Sequence, residues 1–211
     1  MTERKPKLNI FHALSLIKQG KEEFFSLQGQ LLKKKSKTEI AVIARNIKLL
    51  ILDVDGVLTD GSIILDNSGN EFKAFHVRDG HGIKMLMRAG INVAFITGRK
   101  SEVVEKRARE LGITDVYQKS FDKLAVYLSL TEKYSLSDGE VAYVGDDIVD
   151  LPVMKRVGLP VTVADADREV RKYSLLVTKN GGGRGAVREV TDIILGSKGL
   201  LKGIIDGDLK A

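Results

Sequence analysis

Unbroken apolar runs and helix-spaced apolar positions take turns along this chain from residue 46 onward. "IKLLILDV" (47–54) has no polar alternation, the pattern of a strand buried on both faces. "INVAFITG" (91–98), "TDVYQ" (114–118), "EVAYVGDD" (140–147), "LPVTVADA" (159–166) and "SLLVTK" (174–179) read as strands in the same way. Helical patterns fill the gaps. "DGHGIKMLMRAG" (79–90) closes at Gly90, and "SEVVEKRARELG" (101–112) has Ser101 to cap it and Gly112 to end it. "FDKLAVYLSLTEKY" (121–134), the short "DLPVMKRVG" (150–158), a short helix within 167–180 and a final "GAVREVTDIILGSKG" (185–199) follow. Buried strands separated by helices predict a doubly wound, three-layer, Rossmann-like α/β domain with a parallel sheet.

One segment breaks the rhythm. "SIILDNSGNEFKAFHV" (62–77) holds two extended runs around Asn67-Ser68-Gly69-Asn70, the signature of a β-hairpin that would flap over the end of the first strand.

Composition narrows the class. The 211 residues are 43% hydrophobic and 29% charged, as in a globular protein, and no apolar run is long enough to span a membrane. No Cys is present, which excludes disulfides, thiolate metal sites and cysteine nucleophiles and fits a reducing cytoplasm. No signal-peptide pattern opens the chain. The net charge of +6 would suggest nucleic acid, but residues 1–48 alone carry +7, leaving −1 for the rest. The basic character therefore belongs to an N-terminal extension, residues 1–38, expected to be partly helical and to end in a solvated Lys33-Lys34-Lys35 run. Packing on the chain's own domain or a neighbour is expected there, with membrane-surface or nucleic-acid contact as the other readings. Residues 39–211 are expected to form the domain.

The chemistry gathers at strand ends, which in an open parallel sheet line one crevice. The first end carries Asp53 and Asp55, two residues apart and so on one side; the second carries Thr97, Gly98 and Arg99. Lys123 starts the next helix, and the fourth end carries Asp146 and Asp147, with Asp150 a turn further on. An EF-hand fragment is excluded, because Val57 stands where an oxygen ligand is needed. Singly, each group has an ordinary reading as a cap, turn or surface residue. Together, such groups at consecutive strand ends are a strong joint signal for a site, and its buried carboxylates need partners or a metal ion.

These residues resemble the four motifs of the haloacid dehalogenase superfamily of phosphohydrolases. The blocks "DVDGVLTDG", "FHVRDGHGIKML", "ITGRKSEVVEKRA", "VGDDIVDLPVM" and "GGGRGAVREV" are similar to its 3-deoxy-D-manno-octulosonate 8-phosphate phosphatase family, over residues 46–195. The resemblance implies a capless, homotetrameric, Mg²⁺-dependent phosphatase for a small phosphorylated sugar acid in lipopolysaccharide precursor synthesis. It implies Asp53 as nucleophile and metal ligand, and Asp55 as acid–base and ligand through its carbonyl. Asp146 would be the third ligand, with Asp147 or Asp150 ordering the outer shell. Thr97 and Gly98 would hold the phosphoryl group and Lys123 would offset its charge. Substrate contacts are implied for Asp55, His76, Val77, Arg78, Asp79, Gly80, Lys84, Gly98, Lys123 and Arg184, and for Arg99 and Arg107, taken as eight apart on one helix face. Lys84 and His76 depart from the Arg and Asn of some relatives. The segment Gly181–Gly185 is expected as a tail that carries Arg184 to a neighbour's site, the other reading being a flexible linker and the start of the last helix. The other readings are a phosphatase for a nine-carbon keto-sugar-acid phosphate and an idle oligomerisation domain.

Overall fold

The apolar run after residue 46 becomes the middle of the sheet. In the computed structural model, which describes residues 35–207, β1 (Leu49–Leu52) is buried along its whole length. It pairs in parallel with β4 (Asn92–Ile96) on one side and β6 (Val141–Gly145) on the other. Beyond β4 lies β5 (Asp115–Tyr117); beyond β6 lie β7 (Leu159–Thr162) and β8 (Leu176–Val177). The order β5-β4-β1-β6-β7-β8 is parallel throughout. The chain first builds outward from β1 to β5, then returns to build β6–β8. The strand order therefore reverses beside β1, the place where ligands bind in such sheets.

Period-two alternation distributes β1 between two cores. Leu50 and Leu52 pack with α2 (Val77–Arg88), α3 (Glu102–Leu111) and α6 (Ala186–Ser197). Leu49 and Ile51 pack with α4 (Lys123–Tyr134) and α5 (Leu151–Met154). The expected three-layer, doubly wound sheet is what the chain forms. Local chemistry sets the boundaries: Ser101 accepts the Val104 N–H at the start of α3, and Gly112 ends it at φ 84°.

Several details differ from the expectations. A helix not anticipated from the sequence, α1 (Lys37–Arg45), begins with a Ser36–Glu39 capping box. Ile40 and Ala44 enter the core with α6, so the expected boundary between residues 38 and 39 falls inside this helix. Residues 1–34, including Lys33 and Lys34 and the predicted helical stretch, lie outside the described residues. A second unforeseen helix, α7 (Leu201–Ile205), follows α6. Only a 3₁₀ turn at Val170–Tyr173 stands for the short helix expected within 167–180.

The hairpin is present but short: β2 (Ile64–Leu65) and β3 (Glu71–Phe72) pair antiparallel. Its turn is tied by Asp66, whose carboxylate accepts from the Ser68 and Asn70 N–H groups at 2.9 and 2.8 Å. Between Asp55 and Lys123 the described chain holds only this hairpin, two helices and two strands, so no cap domain is present there.

Candidate active site

At the carboxyl end of β1, Asp53 keeps the ladder going by donating its N–H to the Val144 carbonyl at 3.0 Å. Its side chain thereby falls in phase with Leu49 and Ile51, on the face that α4 covers. Lys123, the first residue of α4, meets it there: Nζ lies 2.8 Å from Asp53 Oδ1 and 2.6 Å from Asp150 Oδ1. Asp150 is completely buried and is held from every side. The Tyr143 hydroxyl donates to its Oδ1 at 2.6 Å, and the N–H groups of Asp146 and Asp147 donate to its Oδ2 at 2.9 and 3.2 Å.

Oxygens of Asp53, Asp146 and Asp150 all lie within 4.8 Å of one another, a grouping that could hold a metal ion. Three carboxylates against one lysine leave negative charge uncompensated in a buried place. Burial first, and then the Asp150 charge, push Asp53 up to about 7; burial, then Asp53 and Asp150, push Asp146 up to about 8. Lys123 is also shifted up, for a different reason: burial opposes its charge, but Asp53 and Asp150 outweigh it and raise its affinity for the proton. Asp146 Oδ1 is buried with no hydrogen-bond partner. An orphaned carboxylate oxygen among repelling neighbours is what a hard divalent cation would satisfy, so the residues fit Mg²⁺. Asp147 is outside this cluster and spends its carboxylate on the Ile148 N–H at 2.7 Å.

Glycine makes the cluster tight. Gly56 has φ 92°, and a Cβ there would lie 2.1 Å from Asp146 Oδ2, so only glycine lets the loop after Asp55 approach that carboxylate.

Thr97, at the end of β4, is buried; its hydroxyl accepts the Arg99 N–H at 3.2 Å. Gly98 borders open space, with nothing within 4 Å of where a Cβ would stand. Asp55 turns toward the hairpin. Its Oδ1 contacts Lys73 Nζ, and Arg99 Nε lies 4.0 Å from its Oδ2. Arg99 in turn pairs with Glu71 at 3.1 Å.

The expected substrate contacts separate into groups. Val77 and Arg78 are exposed, whereas Asp79 is buried and accepts the Gly185 and Arg188 N–H groups at 3.3 and 2.7 Å, which caps α6. Burial raises its proton affinity above the ordinary carboxylate range despite those bonds. His76 is the N-cap residue of α2, with Nδ1 4.0 Å from Asp79 Oδ2. Gly80 makes room for Arg107, which pairs with Glu110 at 2.8 Å and lies over Phe75. Arg99 precedes α3, so it does not share a helix face with Arg107 as expected; Ser101 must cap the helix first. Lys84, half-buried on α2, places its charge near Glu110. Arg184 pairs with Asp60 at 3.2 Å on its own chain. The glycine segment packs on its own chain: the Gly183 N–H donates to the Val57 carbonyl at 3.0 Å, and the segment leads directly into α6. A Cβ at Gly182 would lie 1.8 Å from the Gly56 carbonyl oxygen, so the two glycine loops are fitted to each other.

Sequence reasoning missed Tyr143, Glu71 and Lys73. Tyr143 reads as one more apolar residue of a buried strand. The other two come from the hairpin, where no strand-end rule directs attention.

Comparison with known proteins agrees with this geometry. A family model for haloacid dehalogenase-like hydrolases matches residues 108–189. The chain is 52% identical over 163 residues to 3-deoxy-D-manno-octulosonate 8-phosphate phosphatase of Escherichia coli K12, covering 77% of this chain and 87% of the relative. The crystal structure of the phosphatase of that name from Yersinia pestis superposes with a TM-score of 0.77 at 50% identity, covering 78% of this chain and 89% of that one. The Moraxella catarrhalis phosphatase, solved with magnesium ion, phosphate ion and KDO, superposes with a TM-score of 0.79 at 41% identity, covering 80% and 97%. The chain belongs to the haloacid dehalogenase-like hydrolases and is a phosphomonoester phosphatase of the group these relatives form.

Proposed function

We propose that this protein is a Mg²⁺-dependent phosphatase that hydrolyses 3-deoxy-D-manno-octulosonate 8-phosphate in lipopolysaccharide precursor synthesis. The observation that carries the reading is the buried cluster of Asp53, Asp146, Asp150 and Lys123, in a chain so close to enzymes named for that reaction.

Asp53, Asp146 and the Asp55 carbonyl would hold the ion, which when bound neutralises phosphate charge and keeps the carboxylates ionised. Asp53 attacks phosphorus, the bond from phosphorus to the sugar oxygen breaks, and Asp55 delivers its proton to that oxygen. Asp55, now a carboxylate, takes a proton from water; the hydroxide displaces Asp53 from phosphorus and releases inorganic phosphate. Thr97 and the Gly98 N–H hold the phosphoryl oxygens, and Lys123 aligns Asp53 against Asp150 while offsetting charge. Asp150 is placed to order the cluster; the bonded Asp147 has a smaller part. His76, Val77, Arg78, Asp79, Gly80, Lys84, Arg99, Arg107 and Arg184 shape the sugar side, several of them by holding others in place.

The reading includes a cytoplasmic homotetramer. Ile63, Ile64, Leu65 and Phe72 are exposed on the hairpin, an apolar surface that copies of this chain would cover.

A panel of sugar-acid phosphates, with and without metal, tests the reading. Turnover of the eight-carbon substrate with Mg²⁺ is expected, with loss in chelator. Preference for a nine-carbon phosphate would overturn the substrate, and absence of any phosphate release would overturn catalysis.

A further inference from the structure

We propose that Lys73 is a positioning residue for Asp55, so that the hairpin and not a strand end fixes the acid–base carboxylate. The inference rests on the role assigned above to Asp55.

Lys73 directly follows β3, whose Phe72 is 53% exposed, yet its own side chain is only 1% exposed. Withdrawing an ammonium group from water is costly unless partners compensate it. They do: Nζ contacts Asp55 Oδ1 and lies 3.3 Å from Glu71 Oε1. Glu71 Oε1 also takes Arg99 Nη2 at 3.1 Å, so two cations and two carboxylates close into a balanced set.

Within that set, Asp55 has one oxygen committed and one available. Oδ1 is taken by Lys73, while Arg99 Nε stands 4.0 Å from Oδ2, beyond hydrogen-bond distance. A carboxyl group that must hand a proton to a leaving oxygen, and then take one from water, needs its working oxygen held in a single direction. A point-charge donor on the other oxygen does this without competing for the proton's path. Lys123 does the corresponding work for Asp53. Each of the two catalytic carboxylates thus has its own buried lysine, one from α4 and one from the hairpin.

The consequence is a link between the exposed hairpin and proton transfer. A purely structural Lys73 would anchor the hairpin, and its loss would affect every substrate alike. A positioning Lys73 matters only where the leaving group needs a proton.

The test compares the first chemical step, followed as single-turnover release of the leaving group by the Mg²⁺-loaded full chain, for a primary-alkyl phosphate and for p-nitrophenyl phosphate. Lys73→Met is expected to slow the alkyl substrate by about 10²-fold while p-nitrophenolate release stays within about threefold. Lys73→Arg, which retains charge but misplaces it, is expected to fall between, and it serves as the reading if the Met variant does not fold. Equal loss on both substrates, or a rise in KM with kcat unchanged, would overturn the proposal. Asp55→Asn run in parallel separates the two readings. If it shows the leaving-group bias and Lys73→Met does not, Lys73 alone is misassigned. If it shows no bias, the role of Asp55 falls and this proposal with it.

Discussion

The strand ends around Asp53 and the hairpin after it are neighbours in sequence, but they satisfy their side chains in opposite ways. At the strand ends, Asp150 accepts from Lys123, Tyr143 and two backbone N–H groups and is fully buried. On the hairpin, Ile63, Ile64, Leu65 and Phe72 are 48–60% exposed, and β2 and β3 are two residues each. A two-stranded ribbon of that size is marginal by itself. The strand ends therefore gain their order from the chain's own core, whereas the hairpin leaves its apolar side chains exposed. Lys73 is where the two meet.

The largest effect should come from the ordered side. Asp53→Asn is expected to lower turnover by on the order of 10⁴-fold or more, since it removes the attacking oxygen. The fold should persist, because the substitution also removes a buried charge that Asp150 repels. Phosphate release and circular dichroism check the two halves; activity within about tenfold of the parent would sink the nucleophile.

Metal and pH give the next test. Asp53 and Asp146 bind protons more tightly in the folded chain, at about 7 and about 8, than ordinary carboxylates do. The folded state then holds more protons than the unfolded one between the ordinary carboxylate range and those values. Metal-free stability should fall as pH rises through that window. Mg²⁺ at about a hundred times its dissociation constant should restore roughly 5–10 °C of Tm, more at high pH than at low. Asp146→Ala should abolish that dependence on Mg²⁺. Thermal scans with and without chelator decide it, and a stability that rises with pH in chelator would show the cluster is misread.

How much of this was legible depended on whether a residue's role follows from its place in a repeating pattern. The apolar runs before Asp53, Thr97 and Asp146 announced buried strands, and parallel order then carried their ends to one crevice. Lys123 was legible for the same reason. Lys73 and Glu71 were not, because a hairpin can fold over a site at any angle and its charges read as solvated. Asp79 was legible only as a ligand contact, and its bond from the Arg188 N–H, 109 positions further on, was not. Long-range pairing is what a linear pattern cannot show. Helix α1 was overlooked although its signal is local: Ser36 and Glu39 spell a capping box. The strongly basic run before it carries no such local signal and masks the start of the helix.

On the open side, Phe72→Glu should split the assembly. A carboxylate where hairpins meet would be repelled by its copies and would be desolvated without a partner. Light scattering should show species smaller than the parent's. The sugar-acid phosphate should lose about tenfold in kcat/KM, because a lid shared between copies would be gone. A parent protein that is already monomeric would mean that the hairpin's apolar side chains stay exposed in the working enzyme.

The smallest effect concerns where the catalytic domain begins. Deleting residues 1–34 leaves Ser36 to cap α1, and α1 keeps its place through Ile40 and Ala44 in the core. The last turn is tied as well: Arg45 Nε donates to the Ser197 carbonyl at 3.1 Å and Lys198 Nζ to the Arg45 carbonyl at 2.8 Å. That truncation should leave Tm, assembly and turnover close to those of the full chain. Deleting residues 1–38 goes four residues further and takes Ser36 and the first turn with it. Loss of such a cap costs about 1 kcal/mol, or roughly 2–4 °C in a domain of this size. Turnover should still hold, because α1 packs chiefly on α6 and β7, whereas the Asp53 cluster is held by α4 and the loop after β6. Thermal melts of the two truncations side by side measure the cap. If the shorter deletion already abolishes activity, the extension helps build the site and the boundary lies elsewhere.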